Sequence, residues 1–420
     1  MKHLIHTPEG FRDIFGRECD KKRFIERKIE KKFRSFGYQS IETPSLEFSD
    51  AFSRDVGSVP VNEMYKLFDR DGNMLVLRPD FTPSVARSVS MYFMEEQGPL
   101  RFCYHGNVFQ NNLHYQGHLH ENTQMGVELI GEDSPEADAE IIALVVEALR
   151  ESGLTEFQVS IGHVDYFQSL AETAGLDEDT QADLRNLLLT RNRFGAEEQI
   201  RRLRLRKDLQ TAFESIPELF GNRDVLSRAK SLTDNRRAIR ACERLEKIYE
   251  TLDAYGCGNY VTFDMGLLSP YRYYTGIIFQ AYTYGTGDSI IKGGRYDALL
   301  ERYGKKAPAI GFTTEIGSLL TALDRQGIQV PIHDIKTMIL YPSSMESGCV
   351  RYAQRQRAKG LDVACVRFEP GRVLDDYRAY GVRNQFGGIV YFKSETEVYA
   401  INLGTGEVDQ INVAGGDEKI

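Results

Sequence analysis

The sequence lacks the features that mark secreted, membrane-spanning and metal-binding proteins. Residues 1–9 contain no apolar run of the length found in a signal peptide. No stretch approaches the ~18 consecutive apolar residues of a membrane span. The six cysteines are scattered without a C-x-x-C pair, which argues against a zinc site or a dense disulfide framework. We therefore predict a cytoplasmic protein with reduced cysteines and no membrane partner.

The chain also lacks an excess of positive charge. Its formal net charge is −9, whereas a general nucleic-acid binder needs a positive field to displace counterions from phosphate. Charged residues make up 27% of the chain and hydrophobic residues 41%, which is typical of a globular protein. This composition predicts a folded protein without nucleic acid as a partner.

Familiar catalytic and metal-binding motifs are missing as well. The segment GTGDSIIKGG lacks the lysine and hydroxyl of a P-loop, and no nucleophile elbow is present. His114, His118 and His120 lie in one loop, but no carboxylate or cysteine stands at a fixed spacing from them. We expect neither a metal site nor a cofactor.

The order of the predicted elements indicates an α+β protein with two domains. Residues 1–325 combine antiparallel strand signals with flanking helices, and residues from about 165 to 255 within them form a helical segment. Residues 331–420 are predicted to form a small C-terminal α/β domain. This domain holds 11 Lys and Arg against 12 Asp and Glu, a poor balance for binding phosphate.

Local patterns predict several individual elements. An amphipathic helix is expected over 20–36, and Arg70-Asp71-Gly72-Asn73 signals a hairpin turn. Residues 100–131 read as two long strands, and a helix is expected to begin at Ser134, with Pro135 in its first turn. RYDALLERYG is predicted to be a helix that ends at glycine.

Six ordered blocks within residues 7–325 resemble the motifs of histidyl-tRNA synthetase. They are TPEGFRDI with GYQSIETPSLE, LVLRPDFTPSVAR, YHGNVFQNNLHYQGHLHENTQMGVELIG, YYTGIIFQAY, KGGRYDALLERYG and PAIGFTTEIGSLL. The first is similar to the dimer-forming first motif of class II synthetases, and the third and last are similar to the second and third motifs. The resemblance implies a class II synthetase-like antiparallel sheet flanked by helices, a helical insertion and self-association as a dimer.

The chain departs from this family where the family carries charge. Gln110, His118, His120, Ser269 and Ser318 stand where the family has arginine, and Asn112 and Gly317 stand where it has an acidic residue. Losing one hydrogen-bond donor that stabilises charge developing in the transition state typically costs ~3–4 kcal/mol in activation free energy. Arg272 follows Ser269 by three residues, which on a strand places it on the other face, so we do not expect it to substitute. The losses predict a protein that does not form an adenylate.

The amino-acid pocket of the family is retained, by the same resemblance. Asp80 and Thr82 would hold the α-amino group of histidine, with help from Gln124. Glu128 and Tyr273 would contact its imidazole. Tyr274 would line the pocket. A carboxylate near an ammonium and another facing an imidazole N–H make two charge-assisted bonds. Gln124 and Glu128 fall on one face of a strand, although a purely structural pair would do the same.

A synthetase core without its arginines implies a regulatory role. The resemblance implies a non-catalytic subunit of ATP phosphoribosyltransferase that supports the short catalytic subunit and transmits feedback inhibition by histidine. Two alternatives remain open from the residues alone. One is a divergent histidyl-tRNA synthetase, and the other is a tRNA-sensing pseudo-synthetase.

Overall fold

The computed structural model describes residues 5–52, 59–111, 119–269, 274–332 and 336–412. Two units are distinguished by their internal contacts. One comprises Met1–Asp13 with Lys22–Val330, and the other comprises Ile14–Lys21 with Pro331–Ile420. Among the described residues, no helix is both long and apolar enough to cross a membrane.

The larger unit is built on a nine-stranded sheet in the order β1-β5-β6-β12-β11-β10-β7-β9-β8. The six strands from β5 to β7 are antiparallel neighbours, and β1 and β9 are added in parallel to β5 and β7. The strands are β1 (Gln39–Ser40), β5 (Leu100–Phe109), β6 (Glu121–Ile130), β7 (Phe157–His163), β8 (Phe220–Gly221), β9 (Val261–Asp264), β10 (Ile277–Thr283), β11 (Ile291–Arg295) and β12 (Ala309–Glu315).

A three-stranded antiparallel sheet in the order β2-β4-β3 contains the predicted hairpin. Its strands are β2 (Leu46–Phe48), β3 (Lys66–Phe68) and β4 (Met74–Leu77). Asp69 closes the turn between β3 and β4 because its Oδ1 accepts the backbone N–H groups of Asp71 and Asn73. Gly72 adopts φ of 83°, the left-handed conformation that glycine allows.

Helices cover the large sheet and form the predicted helical segment. They are α1 (Gly16–Ser35), α2 (Thr82–Tyr92), α3 (Pro135–Ser152), α4 (Val164–Thr173), α5 (Glu178–Leu189), α6 (Arg193–Arg202), α7 (Lys207–Ser215), α8 (Asp224–Ser231), α9 (Arg236–Ala254) and α10 (Ile316–Arg325). Helix α3 begins as predicted, since Ser134 Oγ accepts the backbone N–H of Ala137. The helical segment α4–α9 also confirms its prediction.

Two sets of contacts join the helices to the large sheet. Helix α2 packs on β5, where the Phe81 and Tyr104 rings stack with centroids 4.4 Å apart. Arg295 at the end of β11 is buried and donates to Asp138 of α3, which also pairs with Arg244 of α9. A buried ion pair needs such multiple partners to offset its desolvation.

The prediction of a helix over RYDALLERYG is wrong. Only Leu300–Tyr303 forms a short 3-10 turn, which ends at Gly304 with φ of 93°. Arg295 is the last residue of strand β11, Tyr296 N–H still donates to the carbonyl of Ala309 across the sheet, and residues 297–299 form a turn.

The smaller unit contains a five-stranded sheet in the order β14-β13-β15-β16-β17. Its elements are β13 (Lys336–Tyr341), α11 (Glu346–Ala358), β14 (Val363–Arg367), α12 (Leu374–Arg383), β15 (Phe386–Phe392), β16 (Val398–Asn402) and β17 (Val408–Ile411). Strand β13 is parallel to β14 and β15, whereas β16 and β17 are antiparallel. Strands and helices alternate from β13 to β15, as predicted for a small α/β fold.

Candidate functional site

The carboxyl group of Glu128 lies in the middle of the sheet and is surrounded by hydroxyl groups. Its residue is only 1% exposed. Thr82 Oγ1 donates to Glu128 Oε1 at 2.7 Å, and the Tyr104 hydroxyl donates to the same oxygen at 3.3 Å. The Tyr296 hydroxyl donates to Oε2. Helix α2, strand β5 and the residue after β11 therefore converge on one carboxyl group.

Burial determines the ionisation of this group. It raises the pKa of Glu128 to about 8, and the nearby charge of Asp80 acts in the same direction, whereas the Tyr296 and Thr82 hydroxyls oppose it. Burial also raises the pKa of Tyr104 well above its usual value. The carboxyl group is thus protonated at neutral pH, and a cation brought against it would favour the ionised form.

Three more oxygen-bearing side chains lie close to Glu128 or on its face of the sheet. Gln124 is 5% exposed, and its buried Oε1 accepts no hydrogen bond from any described residue. Thr313 of β12 stands opposite Gly126, between Gln124 and Glu128, and its Oγ1 is likewise buried without a described partner. Asp80 is buried, and its Oδ1 accepts the Phe81 backbone N–H at 2.7 Å. Buried acceptors of this kind are suited to a ligand that carries N–H groups.

Glycines form the part of the sheet beneath these side chains. Gly311 of β12 stands opposite Glu128, and a Cβ there would lie 1.8 Å from Glu128 Oε2. Gly294 of β11 stands opposite Gly311, and its Cβ would lie 2.6 Å from the ring of Tyr274. The missing side chains let Glu128 and Tyr274 lie directly against the backbone.

A cavity of about 250 Å³ adjoins this surface through Tyr274. It is bounded by helices α4 and α5, by Leu268 and Ser269 after β9, and by Tyr274 before β10. Its lining residues are Val164, Phe167, Gln168, Glu178, Gln181, Arg185, Leu268, Ser269 and Tyr274. Ser269 is 7% exposed and contributes only a hydroxymethyl group where the related synthetases carry arginine.

Two further positions of the missing arginines, Gln110 and Ser318, hold uncharged side chains with local roles. Gln110 Nε2 donates to the carbonyl of Pro79 at 3.1 Å. Ser318 Oγ donates to Glu315 Oε2 at 3.3 Å at the start of α10. Neither side chain can supply a positive charge to a phosphate group.

Some of the predicted positions lie outside the described residues. These are Asn112, His114, His118, Arg272 and Tyr273. His120 is described, and its Nδ1 is hydrogen-bonded to the Tyr65 hydroxyl at 2.7 Å. Within the described parts of the chain, no group of three or more His, Cys, Asp or Glu is arranged to hold a metal ion.

Among the predicted pocket residues, the structure brings Asp80, Thr82 and Glu128 into one cluster and places Gln124 on the same strand as Glu128. Sequence analysis missed Tyr104 and Tyr296, which share the Glu128 carboxyl group. Both lie inside blocks that resemble family motifs, YHGNVFQ and KGGRYDALL. Their place in these blocks is the sequence feature that could have marked them as candidate site residues. Their contact with Glu128 depends on the register of three strands, which the sequence does not specify.

Comparison with known proteins identifies the family. The model of the histidyl-tRNA synthetase family matches residues 10–319. The chain is 38% identical to the ATP phosphoribosyltransferase regulatory subunit of Acetivibrio thermocellus, over 98% of both chains. It is 36% identical to that of Ruminiclostridium cellulolyticum, over 95% of both.

Solved structures agree with this assignment. A crystal structure described as an ATP phosphoribosyltransferase regulatory subunit/histidyl-tRNA synthetase from Bacillus halodurans superposes with a TM-score of 0.83 at 32% identity, covering 92% of this chain and 98% of that one. A histidyl-tRNA synthetase from Nostoc shares the fold, with a TM-score of 0.82 at 18% identity over 97% of this chain and 96% of that one. The chain belongs to the family of ATP phosphoribosyltransferase regulatory subunits, which has the fold of histidyl-tRNA synthetase.

Proposed function

We propose that this chain senses histidine on behalf of a separate, short catalytic subunit of ATP phosphoribosyltransferase. Membership of the family gives the chain a regulatory role in histidine biosynthesis and not a catalytic one. The observation that carries the proposal is the buried Glu128 carboxyl group, which lies among other buried acceptors of the described residues.

Histidine fits this surface by its chemistry. Its imidazole can donate an N–H to Glu128, and Asp80 with the unpartnered Gln124 Oε1 can accept from its α-ammonium group. An amino acid bound in this way satisfies buried acceptors that are otherwise costly to leave unpaired. The hydroxyl groups of Tyr104 and Tyr296 position the carboxyl group that receives the imidazole.

The same surface does not favour chemistry on ATP. Adenylate formation places developing negative charge on a phosphate and depends on preorganised cations. Gln110, Ser269 and Ser318 replace the arginines that the related synthetases use, and each is a neutral side chain. We therefore expect no ATP–pyrophosphate exchange with histidine, and exchange at the rate of an active synthetase would contradict the regulatory assignment.

Regulation requires that histidine bind one state of the assembly more tightly than another. A difference of ~1–3 kcal/mol in binding free energy is enough to shift such an equilibrium. We expect the chain to bind the catalytic subunit in both states and histidine to favour the less active one.

A Glu128→Gln variant tests the proposal. The amide keeps the shape of the side chain but cannot ionise, so we expect histidine affinity to fall ~10- to 100-fold, the value of a charge-assisted bond. Calorimetric titration of the isolated chain measures this change. In a reconstituted complex, the variant should support catalysis while histidine inhibition weakens to the same extent.

A matched control for this variant is Glu301→Gln. Glu301 is an exposed acid with only a 3.9 Å ion pair to Lys306, so its variant should bind histidine as the wild type does. Unchanged histidine affinity in Glu128→Gln would remove Glu128 from the site.

We further infer that the chain self-associates through the three-stranded sheet. Leu46 and Phe48 of β2 and Leu67 of β3 share one face, because Phe48 and Leu67 both stand opposite Leu75. Phe48 is 59% exposed, and the other two are more than 40% exposed. An apolar face of this kind, at the end of the block that resembles the dimer-forming first motif, supports a second copy of the chain as its partner.

A further inference from the structure

A second cavity, of about 490 Å³, lies among helix α9 and the starts of helices α3 and α4. Its lining residues are Pro135, His163, Asp165, Arg237, Arg240, Ala241, Glu243, Arg244 and Lys247. The volume is in the range of sites that bind small molecules. The lining contains four arginines and lysines, all from α9, against two carboxylates, so positive charge predominates in it.

This cavity lies on the other side of the large sheet from Glu128. The strand registers place Gly162, Gly294 and Gly311 in one row with Glu128. Cross-strand neighbours point to the same face of a sheet, and successive residues point to opposite faces. His163, which follows Gly162, therefore points away from the face of Glu128, and the cavity that it lines is separate from the candidate histidine site.

The four cations form one stripe along helix α9. They follow one another at spacings of three, four and three residues, which places them on one face of the helix. The stripe consists of Arg237, Arg240, Arg244 and Lys247. At 1.5 Å per residue it extends over about 15 Å. The buried Leu245, Ile248 and Leu252 on the same helix fix the direction in which the stripe points.

Two arginines of the stripe are held in place by carboxylates. Arg237 donates through all three of its nitrogens to two acidic side chains. Arg244 donates through Nε to Asp138 at 2.6 Å and through Nη2 to Asp133 at 2.9 Å. Its third nitrogen, Nη1, makes no hydrogen bond with any described residue. Arg244 is therefore positioned in advance and still has donors to offer.

The other two cations have no charged partner. Arg240 and Lys247 are exposed, and neither side chain makes an ion pair with a described residue. Glu243 stands between them in the sequence and lines the cavity, also without an ion pair in the described parts of the chain. Burial lowers the pKa of His163 to about 4, so its imidazole adds no positive charge at neutral pH. An anion in the cavity would relieve the repulsion between the aligned cations.

The chemistry of these groups favours phosphate as the anion. A guanidinium group can bind phosphate oxygens through two parallel hydrogen bonds, and a lysine ammonium binds them as a point charge. Arg240 and Lys247 are two helical turns apart, or about 10 Å along the axis, which suits a molecule with more than one anionic group. A concave surface of this volume favours a small molecule over an acidic segment of another protein.

We propose that this cavity binds a small molecule that carries two or more phosphate groups. Arg240 and Lys247 supply the free positive charge, and Arg244 Nη1 supplies a donor in a fixed place. The site is independent of the proposed histidine site, since it lies on the other face of the sheet and uses none of the same residues.

Calorimetric titration of the full chain with inorganic tripolyphosphate, without magnesium and at physiological ionic strength, tests the proposal. We expect saturable binding with one molecule per chain, and weaker binding of inorganic phosphate. A double variant, Arg240→Gln with Lys247→Gln, should lower the affinity for tripolyphosphate ~10- to 100-fold, because it loses hydrogen bonds from charged donors. Both residues are exposed, so the variant should fold as the wild type does.

Matched variants separate the cavity from the charge of the whole protein. Arg351→Gln with Arg355→Gln removes two exposed arginines from helix α11 and should leave the affinity unchanged. Glu243→Gln removes the unpaired carboxylate of the lining and should raise the affinity several-fold. Glu301→Gln removes the same charge elsewhere and should not.

Three results would overturn the proposal. One is a wild type that does not bind tripolyphosphate. Another is an equal loss of affinity in both double variants, which would mean that net charge alone attracts the anion. The third is a variant of Arg240 and Lys247 that binds tripolyphosphate normally but no longer binds the catalytic subunit, because the stripe would then be a contact surface for a protein.

Discussion

At the scale of residues, the proton on Glu128 links the stability of the fold to its ligand chemistry. The three hydroxyl groups around the carboxyl are arranged for hydrogen bonding, yet burial keeps its pKa near 8. The protein therefore holds a neutral acid at the place where the proposed histidine would put its imidazole. Free imidazole side chains have a pKa near ~6.5, and pairing with the carboxylate would raise this pKa, which favours transfer of the proton to the ligand.

This raised pKa predicts how stability depends on pH. Between about pH 4.5 and 8 the folded protein keeps the Glu128 proton that the unfolded chain has released, so stability falls as pH rises and levels off above 8. The loss is on the order of a few kcal/mol in total. Glu128→Gln should lack this loss, which denaturant unfolding of both proteins from pH 5 to pH 9 would measure. Parallel pH profiles would contradict the prediction.

Single-residue patterns predicted part of the site and could not predict the rest. Gln124 and Glu128 were identified from the resemblance to the family, and their alternation on one face of a strand agreed with this but would suit a structural pair equally well. The roles of Tyr104 and Tyr296 were not identified, because their contacts with Glu128 depend on which strands become neighbours. A buried carboxyl group requires hydrogen-bond donors, but the sequence does not show which strand or helix supplies them.

At the scale of elements, turns and helix starts were predicted where the signal is local. The Asp-Gly hairpin and the Ser134 cap each depend on bonds within a few residues. RYDALLERYG failed because Tyr296 and Asp297 are held by distant groups: Tyr296 bonds to β12, and Asp297 Oδ1 accepts the backbone N–H of Ala309. Tertiary bonds override a helical pattern in a segment this short.

The start of helix α4 gives a second prediction about pH. His163 caps this helix, since its Nδ1 accepts the Asp165 backbone N–H at 3.2 Å, and burial lowers its pKa to about 4. Between pH 6.5 and 4 the unfolded chain binds a proton that the folded chain does not, so stability falls as pH falls. His163→Asn keeps a capping acceptor without titrating and should be spared this loss.

Unfolding free energies of the wild type and His163→Asn at pH 7, 5.5 and 4.5 would measure the difference. His163→Ala is the control for the cap itself: it does not titrate either, so it should be about 1 kcal/mol less stable than His163→Asn at every pH. An equal slope in the wild type and the asparagine variant would refute the assignment of this titration to His163.

At the scale of the whole molecule, family blocks predicted the large unit far better than the small one. The nine-stranded sheet follows from six ordered blocks, whereas the C-terminal unit has strands β16 and β17 and helix α12 that the sequence patterns did not indicate. Short strands with mixed polarity, such as Val408–Ile411, give a weak periodic signal.

The proposed self-association is also tested at the scale of the whole molecule. Phe48→Ser should weaken it, because each copy would lose a large apolar contact from the three-stranded sheet. Sedimentation velocity over a range of concentrations measures the shift toward monomer. Phe194→Ser on α6 removes a ring that is 76% exposed from another surface and should leave the association unchanged. If both variants sediment as the wild type does, the sheet is not the contact surface.

The glycine at 311 has a genetic consequence for any organism that carries this protein. Every glycine codon is one base change away from alanine, valine or an acidic residue, and each of these adds the atom that would collide with Glu128 Oε2. On the proposed sensor function, mutations that weaken inhibition by histidine can therefore arise at a backbone position that does not itself contact the ligand. Strains selected for excreting the amino acid would be expected to carry changes there as readily as at the acid itself.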